Sequence, residues 1–319
     1  MDNILEIQHL KKYFDTPGGK LHAVDDVSFT IERGKTLGVV GESGCGKSTM
    51  GRVIVHLLDA TDGRIIFEGR DITRVSKPDL KKLRNDIQMI FQDPYSSIDP
   101  RMTVRDLIGE PLKTHKICKT KEEYEKRVSD LMETVGLAER VGLQYPHELD
   151  GGRRQRIGIA RALALDPSFI VCDEPVSALD VSIQAQILNL MQDLQEQRGL
   201  TYIFITHDLS VVKYISTDIA VMYLGQMVEK AEHNELFAHT LHPYTKAVLS
   251  AIPEPDIHKK RERILLKGEI TSPINPKPGC RFAARCPYAT EACQKPQELE
   301  EVLPDHFVAC CRVRELNGL

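Results

Sequence analysis

The sequence predicts an α/β fold in which helices cover both faces of a mostly parallel sheet. Short apolar runs, rich in β-branched and aromatic residues, recur between segments with helical patterns at residues 36–40, 87–91, 168–172, 202–206 and 219–223. Strands that alternate with helices in this way usually form parallel sheets. Ligands bind beyond the carboxyl ends of such strands, and polar residues follow several of these runs directly. The length of 319 residues allows a large body and a smaller appendage.

The composition disfavours several classes of protein. The 42 basic and 46 acidic residues leave a formal net charge of −4, which gives no overall electrostatic reason to expect nucleic acid as a partner. No apolar run reaches the roughly 18 residues that a membrane-spanning helix needs. The N-terminal residues lack the basic and apolar regions of a signal peptide. We therefore expect a cytoplasmic protein.

The first apolar run leads into a phosphate-binding loop. The loop fits the pattern G-x-x-x-x-G-K-[ST] and consists of Gly41, Glu42, Ser43, Gly44, Cys45, Gly46, Lys47, Ser48 and Thr49. Its glycines can adopt positive φ and turn backbone N–H groups onto an anion, and the helix that follows adds its positive end. Lys47 supplies a charge for the outer phosphates, and the Ser48 hydroxyl can ligate Mg²⁺. The alternative is a glycine-rich turn with a chance lysine, which the flanking strand and helix disfavour.

Two adjacent carboxylates follow the run at residues 168–172. Asp173 is expected to hold Mg²⁺, directly or through water, and Glu174 to polarise an attacking water. Asp-Glu-Pro is also a good strand-terminating turn. A phosphate loop nevertheless requires a carboxylate on the metal side, so we favour the catalytic interpretation.

Two further polar residues stand at strand ends. Gln92 follows residues 87–91, and its amide oxygen could ligate Mg²⁺. His207 follows residues 202–206, where it is expected near the γ-phosphate. An isolated histidine or glutamine is often only a satisfied polar residue, but here both fall in a series of polar residues at strand ends.

These motifs, in this order, resemble the ATP-binding subunits of ABC transporters over essentially the whole chain. The resemblance implies a P-loop NTPase cassette that binds ATP and Mg²⁺, with residues 41–49 as the Walker A loop, Gln92 in the Q-loop and residues 177–180 as the D-loop. His207 would be the switch histidine. Tyr13 would stack on adenine, although Phe14 beside it could serve instead and either could be a core aromatic.

A segment that resembles the ABC signature departs from the usual pattern. It comprises Leu149, Asp150, Gly151, Gly152 and Arg153, and Asp150 and Arg153 replace the usual Ser and Gln. In this family the signature faces the γ-phosphate bound by a partner subunit. A carboxylate about 4 Å from a phosphate charge is repelled by roughly 4 kcal/mol at an effective dielectric constant near 20, before the neighbouring arginines offset it. We therefore expect one active and one weakened composite site. Asp150 is also a good helix N-cap.

Cysteines cluster near the C-terminal end of the chain. Cys280, Cys286, Cys293 and Cys310 lie among prolines and turns, and Cys311 follows as a spare. Four thiolates can bind Zn²⁺ or an iron–sulfur cluster, and the spacing alone does not separate the two. The absence of a C-x2-C pair weakens the zinc interpretation, and a reducing cytoplasm disfavours disulfides. Buried, unliganded thiols are a further alternative. The tail resembles the extension of the oligopeptide and dipeptide branch of these ATPases, which implies ligands of a [4Fe–4S] cluster.

The sequence therefore predicts an ABC nucleotide-binding domain at residues 1–235, with a helical subdomain at about residues 93–165, and an oligopeptide-type extension at residues 236–319. The resemblance implies an ATPase that powers a peptide importer from the cytoplasmic face of the plasma membrane. Its partners would be a second ATPase, two permease subunits and a solute-binding protein, with residues 95–100, in the loop after Gln92, near a permease helix. Alternatives are nickel or glutathione as cargo, a regulatory subunit with little turnover, or a soluble ABC ATPase of translation or DNA repair.

Overall fold

The computed structural model describes residues 2–93, 98–251, 263–266, 268 and 271–319. Tyr95, part of the loop predicted to approach a permease, lies outside these residues. Two compact units are present: the first consists of Met1–Arg74 and Thr206–Leu319, and the second of Val75–Ile205.

The described residues form strands and helices in the following order. The strands are β1 (Asn3–Thr16), β2 (Gly19–Glu32), β3 (Thr36–Val40), β4 (Asp62–Phe67), β5 (Arg70–Asp71), β6 (Ile87–Ile90), β7 (Phe169–Asp173), β8 (Thr201–Ile205), β9 (Asp218–Tyr223), β10 (Gln226–Glu232), β11 (Glu300–Leu303) and β12 (His306–Val308). The helices are α1 (Lys47–Ile54), α2 (Lys77–Asp86), α3 (Val104–Thr114), α4 (Lys121–Thr134), α5 (Gly151–Leu163), α6 (Val181–Arg198), α7 (Leu209–Ile215), α8 (His233–Ala238), α9 (Pro243–Ser250) and α10 (Val313–Asn317).

The first unit contains antiparallel and mixed pairing. Strands β2, β1, β4 and β5 pair antiparallel in that spatial order. Strand β3 pairs parallel to β9, with Val40 opposite Val221, and β9, β10, β12 and β11 continue antiparallel from there. Buried side chains from β3, β9, α9 and the C-terminal segment share one core cluster, which includes Tyr223, Tyr244 and Phe282. The C-terminal segment therefore packs against the strands that flank the phosphate loop.

The second unit combines a parallel sheet with a helical group. Strands β6, β7 and β8 are parallel neighbours, with Ile90 opposite Cys172 and Asp173 opposite Ile205. Helices α3, α4 and α5 pack on one another through buried apolar residues such as Leu107, Val128 and Ile157. The parallel register brings the carboxyl ends of β6 and β7 to one edge of this unit's sheet.

The predicted α/β fold is confirmed, and each of the five predicted strands is found to within one residue at either end. The antiparallel strands β1, β2, β4, β5, β10, β11 and β12 were not predicted. The two long strands of the β1–β2 hairpin are interrupted by register shifts, and buried and exposed residues alternate strictly over only short stretches. The two-residue hydrophobic period that indicates a strand is therefore weak in the sequence. Residues 206–319 belong to the first unit. No helix among the described residues has the length and apolar character needed to cross a bilayer.

Candidate functional site

The loop between β3 and α1 has the backbone geometry of an anion cradle. Gly46 adopts φ +104° as the residue before α1, and a Cβ there would lie 2.0 Å from the Ala23 carbonyl oxygen. Gly41 adopts φ +156°, and a Cβ there would lie 2.2 Å from the Met222 carbonyl oxygen. Both positions therefore require glycine, for steric as well as conformational reasons. Ser48 and Thr49 follow in the first turn of α1 and are half-buried, while Ser43 and Gly44 are exposed.

Lys47 places its ammonium group inside this loop. Its side chain is buried, and Nζ donates to the carbonyl oxygens of Gly41 at 2.8 Å and Glu42 at 3.1 Å. Nζ also lies 3.8 Å from Cys45 Sγ. Burial raises the pKa of the Cys45 thiol, so the thiol adds no negative charge to the loop. The result is a fixed positive charge surrounded by backbone dipoles, which suits an oligophosphate.

His207 belongs to the same unit as the loop. Thr206 donates its N–H to the carbonyl oxygen of Val39 at 3.1 Å, which places the exposed His207 next to the carboxyl end of β3. Asp208 then caps α7 by accepting the N–H of Ser210 at 2.8 Å. The histidine thus lies beside the residue that starts the phosphate loop.

The second unit brings together Gln92, Asp173 and Glu174. Asp173 ends β7 and is fully buried. Glu174 adopts φ +46°, and its backbone N–H donates to Ile205 at 2.9 Å. Gln92 Nε2 donates to Glu174 Oε2 at 2.9 Å. A non-glycine residue at positive φ is costly, and such strain concentrates at functional positions. The amide and the two carboxylates therefore form one polar group at the carboxyl edge of β6 and β7.

Tyr13 is held from two sides. Its ring stacks on His22, with 3.9 Å between ring centroids and 20° between planes, and its hydroxyl donates to Asp25. Burial and this hydrogen bond raise the pKa of Tyr13. Burial opposes ionisation of Asp25, but hydrogen bonds from Tyr13 and His22 and the charge of Arg281 lower its pKa overall. His22 covers one face of the Tyr13 ring, so a base would have to stack on the other.

The signature-like segment forms the start of α5. Asp150 is the N-cap and accepts the backbone N–H of Arg153 at 2.8 Å, and the two side chains also pair at 3.3 Å. Leu149 is buried, and Gly152 is buried against Ile183, where a Cβ would lie 2.7 Å from the isoleucine side chain. Gly151 is exposed beside it. Arg153 therefore offsets part of the negative charge that Asp150 introduces.

The C-terminal cysteines line a common pocket. Cys280, Cys286, Cys293, Cys310 and Cys311 all contribute to its wall, together with Phe282. The Sγ atoms of Cys293 and Cys311 lie 4.0 Å apart. Burial raises the pKa of Cys280 to about 11 and also raises that of Cys286 and Cys310. In the part of the chain that the structure describes, no three Cys, His or acidic groups converge closely enough for a single ion.

Sequence reasoning missed the contacts that tie this C-terminal segment to the phosphate loop. Arg285 Nη1 donates to both carboxylate oxygens of Glu42, at 3.1 and 2.8 Å, and Tyr244 Oη accepts the backbone N–H of Glu42 at 3.0 Å. Arg281 pairs with Asp25 and donates to the Leu224 carbonyl. Arg285 and Glu42 are 243 residues apart in sequence, so no local pattern could have revealed the contact.

Comparison with known proteins identifies two family patterns in the chain. Residues 24–177 match the ABC transporter family, and residues 228–293 match the oligopeptide/dipeptide transporter C-terminal region. The oligopeptide transport ATP-binding protein OppF of Bacillus subtilis (strain 168) is 54% identical, covering 97% of this chain and 96% of that protein. The Escherichia coli (strain K12) protein of the same name is 49% identical, covering 98% of this chain and 97% of that protein. The solved ATP-binding cassette MJ0796, bound to ADP and Pi, is 28% identical with a TM-score of 0.66, covering 72% of this chain and 98% of that one.

Proposed function

Because this chain belongs to the ABC transporter family of ATP-binding subunits, we propose that it is the ATPase of an importer for oligopeptides or dipeptides. The observation that carries the proposal is the presence of both an ABC cassette and an oligopeptide-type C-terminal region in one chain. The relatives with near-complete coverage bear the names of oligopeptide transport proteins. Nickel and glutathione are the alternative transported substrates.

The nucleotide is held through its phosphates. Residues 41–49 surround the β- and γ-phosphates with backbone N–H groups, and Lys47 neutralises their charge. Mg²⁺ would be ligated by the Ser48 hydroxyl, the Gln92 amide oxygen and the Asp173 carboxylate, which are the oxygen ligands that this cation prefers. The buried ammonium of Lys47 and the buried carboxylate of Asp173 support these two roles.

Hydrolysis is assigned to Glu174 and His207. Glu174 would orient and deprotonate the attacking water, and the hydrogen bond from Gln92 at 2.9 Å would hold its carboxylate in place. His207 would contact the γ-phosphate, and Tyr13 would stack on adenine through the face that His22 leaves uncovered. The chain supplies these groups, and Mg²⁺ adds charge neutralisation to the phosphates when bound.

The partners are those of a heteromeric importer at the cytoplasmic face of the plasma membrane. A second ATPase would close with this one around two nucleotides, and residues 149–153 would face the γ-phosphate on that partner. ATP binding favours the closed pair, and hydrolysis releases it, so that two permease subunits alternate their access. A solute-binding protein would deliver the peptide. Residues 1–235 would form the cassette, and residues 236–319 the extension.

The four predicted thiols would hold a [4Fe–4S] cluster, with Zn²⁺ as the alternative. All four thiols line one pocket, which supports a ligand that they share. Such a cluster supplies a rigid cross-link among loops and can accept an electron. Iron and acid-labile sulfide in the anaerobically purified chain support the cluster, and one equivalent of zinc without sulfide contradicts it.

A transport assay tests the importer directly. The chain is assembled with its second ATPase and permeases in vesicles, and uptake of a labelled peptide is measured with ATP present. ATP-dependent uptake that disappears in Glu174→Gln, while ATP binding persists, supports the proposal. Uptake that is unchanged in this variant contradicts it.

A second candidate is a regulatory subunit with little turnover of its own. The replacement of the usual Ser and Gln by Asp150 and Arg153 favours it, because a carboxylate would face the partner's polyanion. It predicts that Glu174→Gln leaves the ATPase rate of the assembled complex unchanged.

A further inference from the structure

The cysteine-rich segment contacts the phosphate loop through an ion pair. Arg285 precedes Cys286, which lines the cysteine pocket, and its Nη1 donates to both carboxylate oxygens of Glu42 in the loop. The side chains of Arg285 and Glu42 are 9% and 27% exposed, so water screens the pair only weakly. Burial also means that neither charge is easily satisfied without the other.

A second contact fixes the same loop residue through its backbone. Tyr244, fully buried in α9, accepts the Glu42 N–H through its hydroxyl at 3.0 Å. Its ring packs on Tyr223 and Phe282, with centroids 4.7 and 5.4 Å away. Phe282 belongs to the segment between Cys280 and Cys286 and lines the pocket. Both the side chain and the backbone of Glu42 therefore depend on how this segment is placed.

The position of Glu42 affects Lys47, whose ammonium group would bind the phosphates. The Glu42 carbonyl oxygen accepts from Lys47 Nζ at 3.1 Å, next to the Gly41 carbonyl at 2.8 Å. A rotation of the peptide at Glu42 would move this acceptor and with it the lysine charge. An anion cradle loses affinity when its donors are displaced, because preorganisation rather than contact number sets its strength.

We propose that Arg285 is a positioning residue for the phosphate loop and that it makes ATP affinity depend on the state of the cysteine pocket. The proposal rests on the proposed function, because it assumes that the loop binds ATP. The extension thereby gains a regulatory role, because Cys286 lines the pocket and is adjacent to Arg285 in sequence, so a change in the packing of the pocket would move the arginine. A displaced arginine would then loosen the nucleotide site.

The test measures the Kd of a fluorescent ATP analogue on the full chain, purified anaerobically. Arg285→Gln and Glu42→Gln each raise Kd about tenfold, equivalent to about 1.4 kcal/mol. The double variant is no weaker than either single one, because both remove the same interaction. Arg285→Lys recovers part of the affinity. The matched control is Arg33→Gln, which breaks the 2.7 Å ion pair to Glu68 elsewhere in the same unit and leaves Kd unchanged.

A second comparison tests the link to the pocket. Cys286→Ser raises Kd about threefold or more in the otherwise unchanged chain, and has no further effect in the Arg285→Gln background, as expected of coupled residues. Glu42→Gln leaves the cysteine segment intact, so it reports on the ion pair even where Arg285→Gln fails to fold. Single variants within twofold of the parent Kd, or additive effects, overturn the proposal.

Lys47→Ala separates this proposal from the function on which it rests. If Lys47→Ala binds the analogue like the parent, the nucleotide function itself fails. If only Lys47→Ala loses binding while Arg285→Gln and Cys286→Ser bind normally, ATP binding stands and the positioning role is refuted.

Discussion

Acidification should destabilise the first unit through one buried histidine. His242 is the N-cap of α9 and is 1% exposed, and its Nδ1 accepts the backbone N–H of Tyr244 at 3.1 Å. Burial lowers the pKa of His242 from 6.5 to about 4, although the nearby Glu229 opposes this effect. Only the unprotonated ring nitrogen can accept this hydrogen bond, so protonation removes the cap of the helix that carries Tyr244.

The sign and size of the effect follow from the two protonation equilibria. The unfolded chain binds a proton at His242 below about pH 6.5, whereas the folded chain does so only near pH 4. The native state therefore keeps its full free energy of unfolding above about pH 6.5. Between this pH and about pH 4, the free energy of unfolding decreases as the pH is lowered. Each pKa unit corresponds to about 1.4 kcal/mol, so the loss at pH 5 is about 2 kcal/mol.

Urea unfolding of the full chain at about pH 7.5 and about pH 5, followed by circular dichroism, measures this loss. His242→Asn is the matched control, because the amide oxygen can accept the same hydrogen bond and does not titrate. Between the two pH values, the parent should lose about 2 kcal/mol more of its free energy of unfolding than the variant. Equal losses in the two proteins would refute the reasoning.

Three further sets of substitutions have defined outcomes. Gly46→Ala should lower the free energy of unfolding by at least about 3 kcal/mol, because the new Cβ is strained and clashes with the backbone. Gly44→Ala has open space around its Cβ and should lower it by only about 1–2 kcal/mol. Equal losses of the two variants in urea unfolding would contradict this. Gln92→Glu places a second carboxylate beside Glu174, so the pH–rate profile of the ATPase should shift to higher pH, and an unshifted profile argues against Glu174 as the base. Asp150→Ser with Arg153→Gln should raise the ATPase rate of the assembled complex by removing the carboxylate that we propose faces the partner's phosphate, and a drop in rate would count against the proposed weakened site.

The features that the sequence predicted well are those encoded within a few neighbouring residues. The phosphate loop at residues 41–49 combines glycines, a lysine and a flanking strand in one short window, and the structure has that strand and helix. Asp150 has a side chain that suits a helix N-cap, and it caps α5. The strand-end positions of Asp173 and Gln92 followed from parallel pairing, because the ends of β6 and β7 share an edge. Local pattern and sheet topology together carry this information.

The features that escaped prediction depend on contacts between distant parts of the chain. The β1–β2 hairpin mixes polar and apolar residues around several register shifts, so its two-residue period is weak. Arg285 gives no local sign that it pairs with Glu42, and Tyr244 gives none that it accepts the Glu42 N–H. Only the packing of the C-terminal segment against β9 and the phosphate loop reveals these partners, since side-chain pairing at long sequence separation has no period to detect.

The proposed ATPase function depends above all on binding of the ATP phosphates by the Lys47 loop. Equilibrium titration of the purified chain with a fluorescent ATP analogue and Mg²⁺ measures the dissociation constant of this binding most directly. Removing the buried ammonium in Lys47→Ala should weaken binding at least about 100-fold, equivalent to about 2.7 kcal/mol, while the fold is retained by circular dichroism. Equal affinity in the parent and in a folded Lys47→Ala would contradict the account.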